Sequence, residues 1–329
     1  MFPVYHKLFV FYKGFNNMLL LYKDIKNDPS VFLSLTGLTK TEFGSLLPKF
    51  GKAETEYLRE TYKGKERALG GGRRPKLRSA EDRLFFILFY LKTHPLQQVL
   101  AVLFGMSQSQ ANVWIHRLAE VLRKSLAGGA YLPERNPEKA EDALKKCPGL
   151  SFVIDGTERE IQRPGDPEKQ RIFYSGKKKT HTVKNNLIAD AGSGKVVYLS
   201  GTCEGKKHDK KICDEEKHVF PVGSSLFKDT GFQGYEPGNT VCYQPEKKPR
   251  GKELPTEDRI FNKMISGVRV TAEHVIAGVK RLRIVKDVLR NTKDGLDDLV
   301  MEIACGLHNL RVTFRVPKHP KKYPEPVWH

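Results

Sequence analysis

An all-helical N-terminal domain followed by a mixed α/β domain on one central sheet is the fold class this 329-residue chain predicts. Two observations predict it. Up to about Leu126 the apolar residues recur at helical spacing, whereas from Leu150 onward they gather into short runs bounded by Gly and turn residues. Those runs follow the order strand, strand, strand, helix, strand, strand, long helix, which is a mixed α/β pattern. An apolar content of 39%, with 10% aromatic, is enough for packed cores and excludes a disordered polybasic tail.

Charge narrows the partners. Lys and Arg number 57 against 38 Asp and Glu, a net +19. So much unbalanced positive charge repels itself unless a polyanion neutralises it. Nucleic acid is the first candidate, ahead of an anionic membrane and a ribosome-like structural role. The cysteines are Cys147, Cys203, Cys213, Cys242 and Cys305, an odd number without a CxxC pair. A disulfide framework or zinc site is therefore not expected, and a reducing compartment fits. There is no GxxxxGK[ST] loop for a nucleotide and no GxSxG elbow.

Residues 1–23 read as an extension. The apolar run VYHKLFVFYKGFNNMLLLYK is interrupted by Lys7 and Lys13 and lacks a small-residue cleavage site, so it is neither signal peptide nor membrane span. It is either a packed first helix or a segment upstream of a start at Met18.

The helical domain spans 24–127, with Asp28-Pro29 and Thr39 as helix starts. A basic Gly-rich linker at 63–78 is equally a solvated loop or a phosphate-contacting arm, with Arg73 and Arg74 as its candidate contacts. Ser79-x-x-Asp82 then opens the very apolar RLFFILFYLK, a buried helix. Pro95 breaks the chain and LQQVLAVLF forms the next helix. Gly105 sits where a C-cap would, and Ser107-x-x-Gln110 opens a third helix to about Leu126. Its inward stripe is Ala111, Trp114, Ile115, Leu118, Val121 and Leu122, leaving Gln108, Ser109, Asn112 and His116 outside. Short helix, Gly turn and longer amphipathic helix make a helix-turn-helix pattern over about 96–126, whose exposed amides and hydroxyl can bond base edges. Helical hairpins with polar faces also occur in proteins that never touch DNA; the charge tips the balance toward DNA.

Residues 128–149 are rich in Pro, Gly and charge and read as a linker to a second domain at 150–315. There LSFVIDGTE reads as a strand ending at Asp155, THTVKNNLIADA and GKVVYLSG as a pair joined through Gly192-Ser193-Gly194, and GKKHDKKICDEEKHVF as a helix. SSLFKDTGF ends at Asp229, NTVCYQP is a fifth strand, and helices follow from Thr256 to about Lys286 and from Asp294 to Val312. Residues 316–329 form a basic, Pro-rich tail.

Three acids stand out. Asp155 and Asp229 end strand-like runs, while Glu273 shares a helix face with Arg269 and Lys280, the three falling within about 40°. The apolar stripe Ile260, Met264, Val268, Val275, Val279 and Leu282 lies away from that face. Converging carboxylates suit paired divalent cations, which supply the charge stabilisation phosphodiester cleavage needs, and flanking cations suit phosphates. Each acid also has a plainer reading, as a turn former or one half of a solvated ion pair. His208 and Asp209 in KKHDKK are possible supporting residues beside such a site, although a loop His between lysines is more often exposed.

These motifs resemble those of DDE transposases of bacterial insertion sequences, in the group related to Harbinger elements. VIDGTE, FKDTGFQGY and Arg269-x3-Glu273-x6-Lys280 carry the resemblance, and LQQVLAVLFGMSQSQANVWIHRL looks like the helix-turn-helix ahead of such domains. It covers roughly Asp24 to Arg315. One departure is Ser266, where the group's helix signature usually has Tyr. The resemblance implies a ribonuclease-H-like domain with a mixed five-stranded sheet. It implies that Asp155, Asp229 and Glu273 bind two Mg2+ or Mn2+ ions, with Arg269 and Lys280 holding phosphates. It further implies hydrolysis of a DNA strand at the element's terminal inverted repeats and attack of the freed 3′-hydroxyl on target DNA. Double-stranded DNA and further copies of the chain are the expected partners, without membrane or nucleotide cofactor. A nucleoid-associated cytoplasmic location is expected in a bacterium, a nuclear one in a eukaryote. A nuclease without strand transfer and a domesticated or inactive DNA-binding protein are the alternatives.

Overall fold

Capping side chains set the first helices in the computed structural model of the chain, which describes residues 19–63, 75–248, 251 and 253–315. After one turn, α1 (Tyr22–Ile25), Asp28 accepts from the Ser30 and Val31 N–H groups, both at 3.0 Å, to start α2 (Pro29–Thr36). Thr39 and Glu42 form a reciprocal capping box at α3 (Lys40–Tyr62). Ser79 caps α4 (Ala80–Thr93), whose residues from Leu84 to Leu91 are all buried. Then come α5 (Gln97–Leu103) and α6 (Gln108–Ala127), the latter opened by the Ser107–Gln110 capping box. Gly105 turns the chain between them at φ +58°, in the left-handed region that favours glycine. These helices belong to one of two units into which the chain divides: Met1–Leu132 with Arg281–Asp287 and Leu299–Ala304.

Phe104 meets Phe85, Phe86 and Phe89 with ring centroids 5.8, 4.8 and 5.6 Å away. Buried Glu54 on α3 takes Arg83 Nε of α4 at 2.8 Å and Arg117 Nη2 of α6 at 3.1 Å, tying three helices with one carboxylate. Two expectations change here. Leu20 is buried and its N–H donates to Leu103 O at 2.9 Å, so the chain is packed before Asp24. Trp114 is half-buried at the edge of the inward stripe, with the Arg117 guanidinium 4.8 Å above its ring. The linker's Arg73 and Arg74 lie outside the described residues.

The second unit is Pro133–Lys280 with Val288–Asp298 and Cys305–His329. Its strands are β1 (Ser151–Glu160), β2 (Tyr174–Ser175), β3 (Thr180–Asp190), β4 (Val196–Leu199), β5 (Cys203–Glu204), β6 (Ser224–Phe227) and β7 (Thr240–Tyr243). The sheet runs β2-β3-β1-β6-β7, with β4 and β5 also on β3. β3 is antiparallel to β1, whereas β6 is parallel to β1 and β7 to β6. This is the ribonuclease-H-like arrangement. Seven strands stand among the described residues instead of five. The two unforeseen ones, β2 and β5, have two residues each, too few for alternation to register.

Phe152, Ile154, Ile188, Tyr198, Phe220, Leu226 and Phe232 form the core of this unit. Ala140 and Leu144, on α7 (Ala140–Leu144), join them. The stretch 128–149 is thus more than a linker: its two apolar positions four apart are anchored in the core, and Glu134 bonds Val197 O and the Leu199 N–H through its backbone. The remaining helices are α8 (Pro167–Phe173), α9 (Asp209–Glu216), α10 (Thr256–Val279) and α11 (Leu296–Thr313). α10 stops short of the expected Lys286, because Lys280 caps it and a 3-10 turn, Arg283–Val285, follows. Its apolar stripe is also corrected. Ile260 and Met264 are 67% and 37% exposed, whereas Val268, Val275, Val279 and Leu282 are buried as expected and Ile265 and Ala272 join them. Periodicity marks a face but not how far a neighbour covers it. Among the described residues no helix is long and apolar enough to cross a membrane.

Candidate active site

β1 outruns its parallel partner. Pairing with β6 ends at Val153↔Phe227, while pairing with β3 continues to Glu160↔Thr182. Asp155 therefore lies inside β1, opposite Leu187, and not at the strand's end as the sequence suggested; the parallel pairing alone stops short of it, at Val153. Asp229 lies two residues beyond Phe227, as Asp155 lies two beyond Val153. The two acids share a register at the mouth where β1 and β6 part. Asp229 also starts a 3-10 turn, Thr230–Phe232, accepting from the Thr230 N–H.

Burial pushes the Asp155 carboxyl up to about 6. The Gly156 N–H, donating at 2.8 Å, opposes that rise; the Asp229 charge adds to it, Arg269 opposes it, and Asp209 adds again. A desolvated carboxylate facing two others is short of positive charge.

α10 packs against β1 and β6 and brings the cations. Arg269 Nη2 stands 3.3 Å from Asp229 Oδ2, and Lys280 Nζ donates to Glu158 O of β1 at 3.4 Å. Burial, followed by the Lys178 and Arg159 charges, lowers the Lys280 pKa. Glu273 is exposed, one turn after Arg269 and two before Lys280 on the same face. Ser266 is exposed as well. Among the described residues, no three His, Cys, Asp or Glu side chains gather closely enough to enclose a metal ion. The donor set nevertheless fits a hard cation in kind: all oxygens, with two aspartates in register, the first of them desolvated, and Mg2+ retains several waters beside a few carboxylates.

Asp209, the first residue of α9, lies between the segments that follow the two aspartates. A methyl added to Gly156 would be 2.4 Å from Asp209 Oδ1, and one on Gly231 3.4 Å from Oδ2. Lys184 Nζ pairs with Asp209 Oδ1 at 3.1 Å, and Asn186 Nδ2 donates to Asp209 O at 2.8 Å. Lys184 and Asn186, both on β3, carried no signal in the sequence beyond polar positions in a strand. His208 is exposed and its side chain does not cap α9.

On α6, Gln108 and Ser109 are exposed, and Asn112 and His116 are half-buried. Gln108 Nε2 donates to Gln97 Oε1 at 2.9 Å, and Asn112 Nδ2 donates to the same oxygen at 3.2 Å. Val113, beside Asn112, is 66% exposed. Neither Gln97 nor Val113 was singled out from the sequence.

Carboxylates in register on β1 and just past the end of its parallel neighbour β6, with cations on a crossing helix and a helix-turn-helix elsewhere in the chain, define a nuclease-type fold. Residues 154–309 match the family described as DDE superfamily endonuclease, and residues 75–128 match the helix-turn-helix of DDE superfamily endonuclease. The chain belongs to this family of DDE-type enzymes acting on DNA. It is 28% identical over 246 residues to a protein of Microchaete diplosiphon described as a transposase for insertion sequence element IS702, covering 74% of this chain and 84% of that relative. It is 27% identical over 289 residues to one of Streptomyces albus G described as a transposase for insertion sequence element IS112, covering 87% and 97%. No solved structure matches the chain.

Proposed function

We propose that the chain binds the terminal inverted repeats of its own insertion sequence through α5–α6, cleaves the DNA there and joins the freed ends to target DNA. Asp155, Asp229 and Glu273 are the metal ligands in this reading. The observation that carries it is the shared register of Asp155 and Asp229 beyond the Val153↔Phe227 pair, with α10 setting Arg269 against Asp229. Two Mg2+ or Mn2+ ions, when bound, supply charge stabilisation to the attacking and leaving oxygens.

The chain's own residues do the rest. β1 and β6 hold the carboxylates on rigid backbone. Arg269 and Lys280 hold the phosphates flanking the scissile bond, and Lys280, kept half-buried, does so with little water around it. Asp209 fixes Lys184 against β3 beside Asp155, and His208 stays outside this set. Gln108, Ser109, Asn112 and His116 face the bases, and Arg73 and Arg74 contact the backbone. Holding two element ends at once calls for at least two copies of the chain, acting on the chromosome of its host cell.

The test uses the full-length protein, a duplex carrying the element's terminal repeat, and Mg2+ or Mn2+. Cleavage at the repeat end is expected, together with joining of pre-cut ends bearing free 3′-hydroxyls. Cleavage without joining would make the chain a nuclease. Specific binding without any nicking would make it a DNA-binding protein only.

A further inference from the structure

We propose that Gln97 is a positioning residue for base reading: it pins the amides of Gln108 and Asn112 so that they present an adenine-matching edge, with Val113 beside them meeting a thymine methyl. This rests on the reading that α6 enters the major groove. The observation is the shared acceptor. One oxygen, Gln97 Oε1, takes an N–H from Gln108 at 2.9 Å and another from Asn112 at 3.2 Å. Gln97 opens α5 and is half-buried, and its two donors sit one turn apart on α6.

A free amide side chain rotates and exchanges its donor and acceptor ends, so it reads either kind of base edge. A pinned one does not. With one N–H of each amide committed to Gln97, each side chain keeps its carbonyl oxygen and its second N–H for a ligand. An acceptor beside a donor matches adenine, which offers the N6 amino donor and the N7 acceptor. Guanine offers two acceptors, O6 and N7, and leaves the amide oxygens unpaired. Val113 adds an exposed branched apolar group next to Asn112, suited to the thymine C5-methyl. The ligand class is therefore duplex DNA with A·T pairs at the positions these side chains meet.

Selection from a randomised duplex library, with full-length protein in chelator so that no strand is cut, tests this. Wild type is expected to enrich adenine at the positions contacted by Gln108 and Asn112. Gln97→Leu should lose that preference on the order of tenfold while still binding DNA of any sequence. Gln97→Glu, whose carboxylate accepts the same two bonds, should keep the preference at lower overall affinity. Val113→Ala should weaken selection for thymine at a neighbouring position. Melting temperatures identify any variant that fails to fold, and Gln97→Glu then carries the test. Unchanged adenine preference in a folded Gln97→Leu protein overturns the proposal, as does a wild-type preference for guanine. If wild type enriches no sequence, the reading of α6 as a base-reading helix fails and the positioning role falls with it.

Discussion

Asp155 and Asp229 stand in one register, each two residues beyond Val153 and Phe227, the last pair joined across β1 and β6. The sheet thus brings together two acids far apart in sequence, Asp155 desolvated inside β1 and Asp229 facing Arg269.

Asp155→Asn removes one of two neighbouring carboxylates, and its effects should diverge. Cleavage should fall about a hundredfold or more, the scale of losing one main electrostatic contributor to a transition state. In chelator the same variant should melt no lower than wild type, and stability gained by about 1 kcal/mol is expected because a buried charge is removed, and with it the repulsion from Asp229. Thermal melts with and without Mn2+ check it. A large loss of stability in chelator would mean that Asp155 holds the fold together.

Gly156 has no room for a side chain. Its Cβ would approach Asp209 Oδ1 to 2.4 Å, and β1 is paired on β3 at that point, so the backbone cannot step aside. Gly156→Ala should cost about 1–3 kcal/mol by overpacking and displace Asp209 from Lys184. Urea denaturation of Gly156→Ala, and of Gly156→Ala with Asp209→Gly, checks this. The second change should restore most of the loss.

His308 gives the fold an acid-sensitive point. Its ring is buried, Nε2 donates to Gly194 O at 2.9 Å, and a methyl on Gly278 would sit 2.3 Å from Nδ1. Burial lowers its pKa to about 4 despite the Gly194 bond, with Arg311 and Arg315 adding to the fall. Because the folded-state value lies below the unfolded 6.5, the unfolded chain binds the proton first. Stability from this residue is complete above pH 6.5 and is lost as pH falls toward 4, by up to about 1.4 kcal/mol per pH unit. Denaturation midpoints across that window should fall for wild type and flatten for His308→Gln.

Glu54 answers both Arg83 and Arg117. Glu54→Ala leaves two guanidinium groups facing each other near a buried position, and a cost of about 2–4 kcal/mol is expected. The double change with Arg117→Ala should recover part of it. Chemical denaturation of the single and double variants measures the coupling.

Much of this was legible in the residues, and the reasons are local. Asp28, Thr39, Ser79 and Ser107 announce their helices because capping is chemistry within four residues. The order of strands was legible from runs of apolar residues. The true extent of β1 was not, because TERE looks like a polar turn until the eleven-residue β3 pairs along it. Nor was Asp209's place, which depends on a glycine in a distant strand leaving space. Gln97 went unnoticed for the same reason: its meaning lies in a shared bond across a turn. Ile260 and Met264 kept a helical period without a partner to bury them.

The helical unit also includes Arg281–Asp287 and Leu299–Ala304. Lys92 Nζ donates to Arg281 O at 2.9 Å, and a methyl on Gly37 would sit 3.6 Å from Leu282. A ribosome making this chain releases α1–α6 long before those residues exist. The helices that come first must wait, incomplete, until the first half of α11 has been made. Order of synthesis and order of completion are reversed, and a fragment ended at Leu132 is an unfinished piece and not a domain.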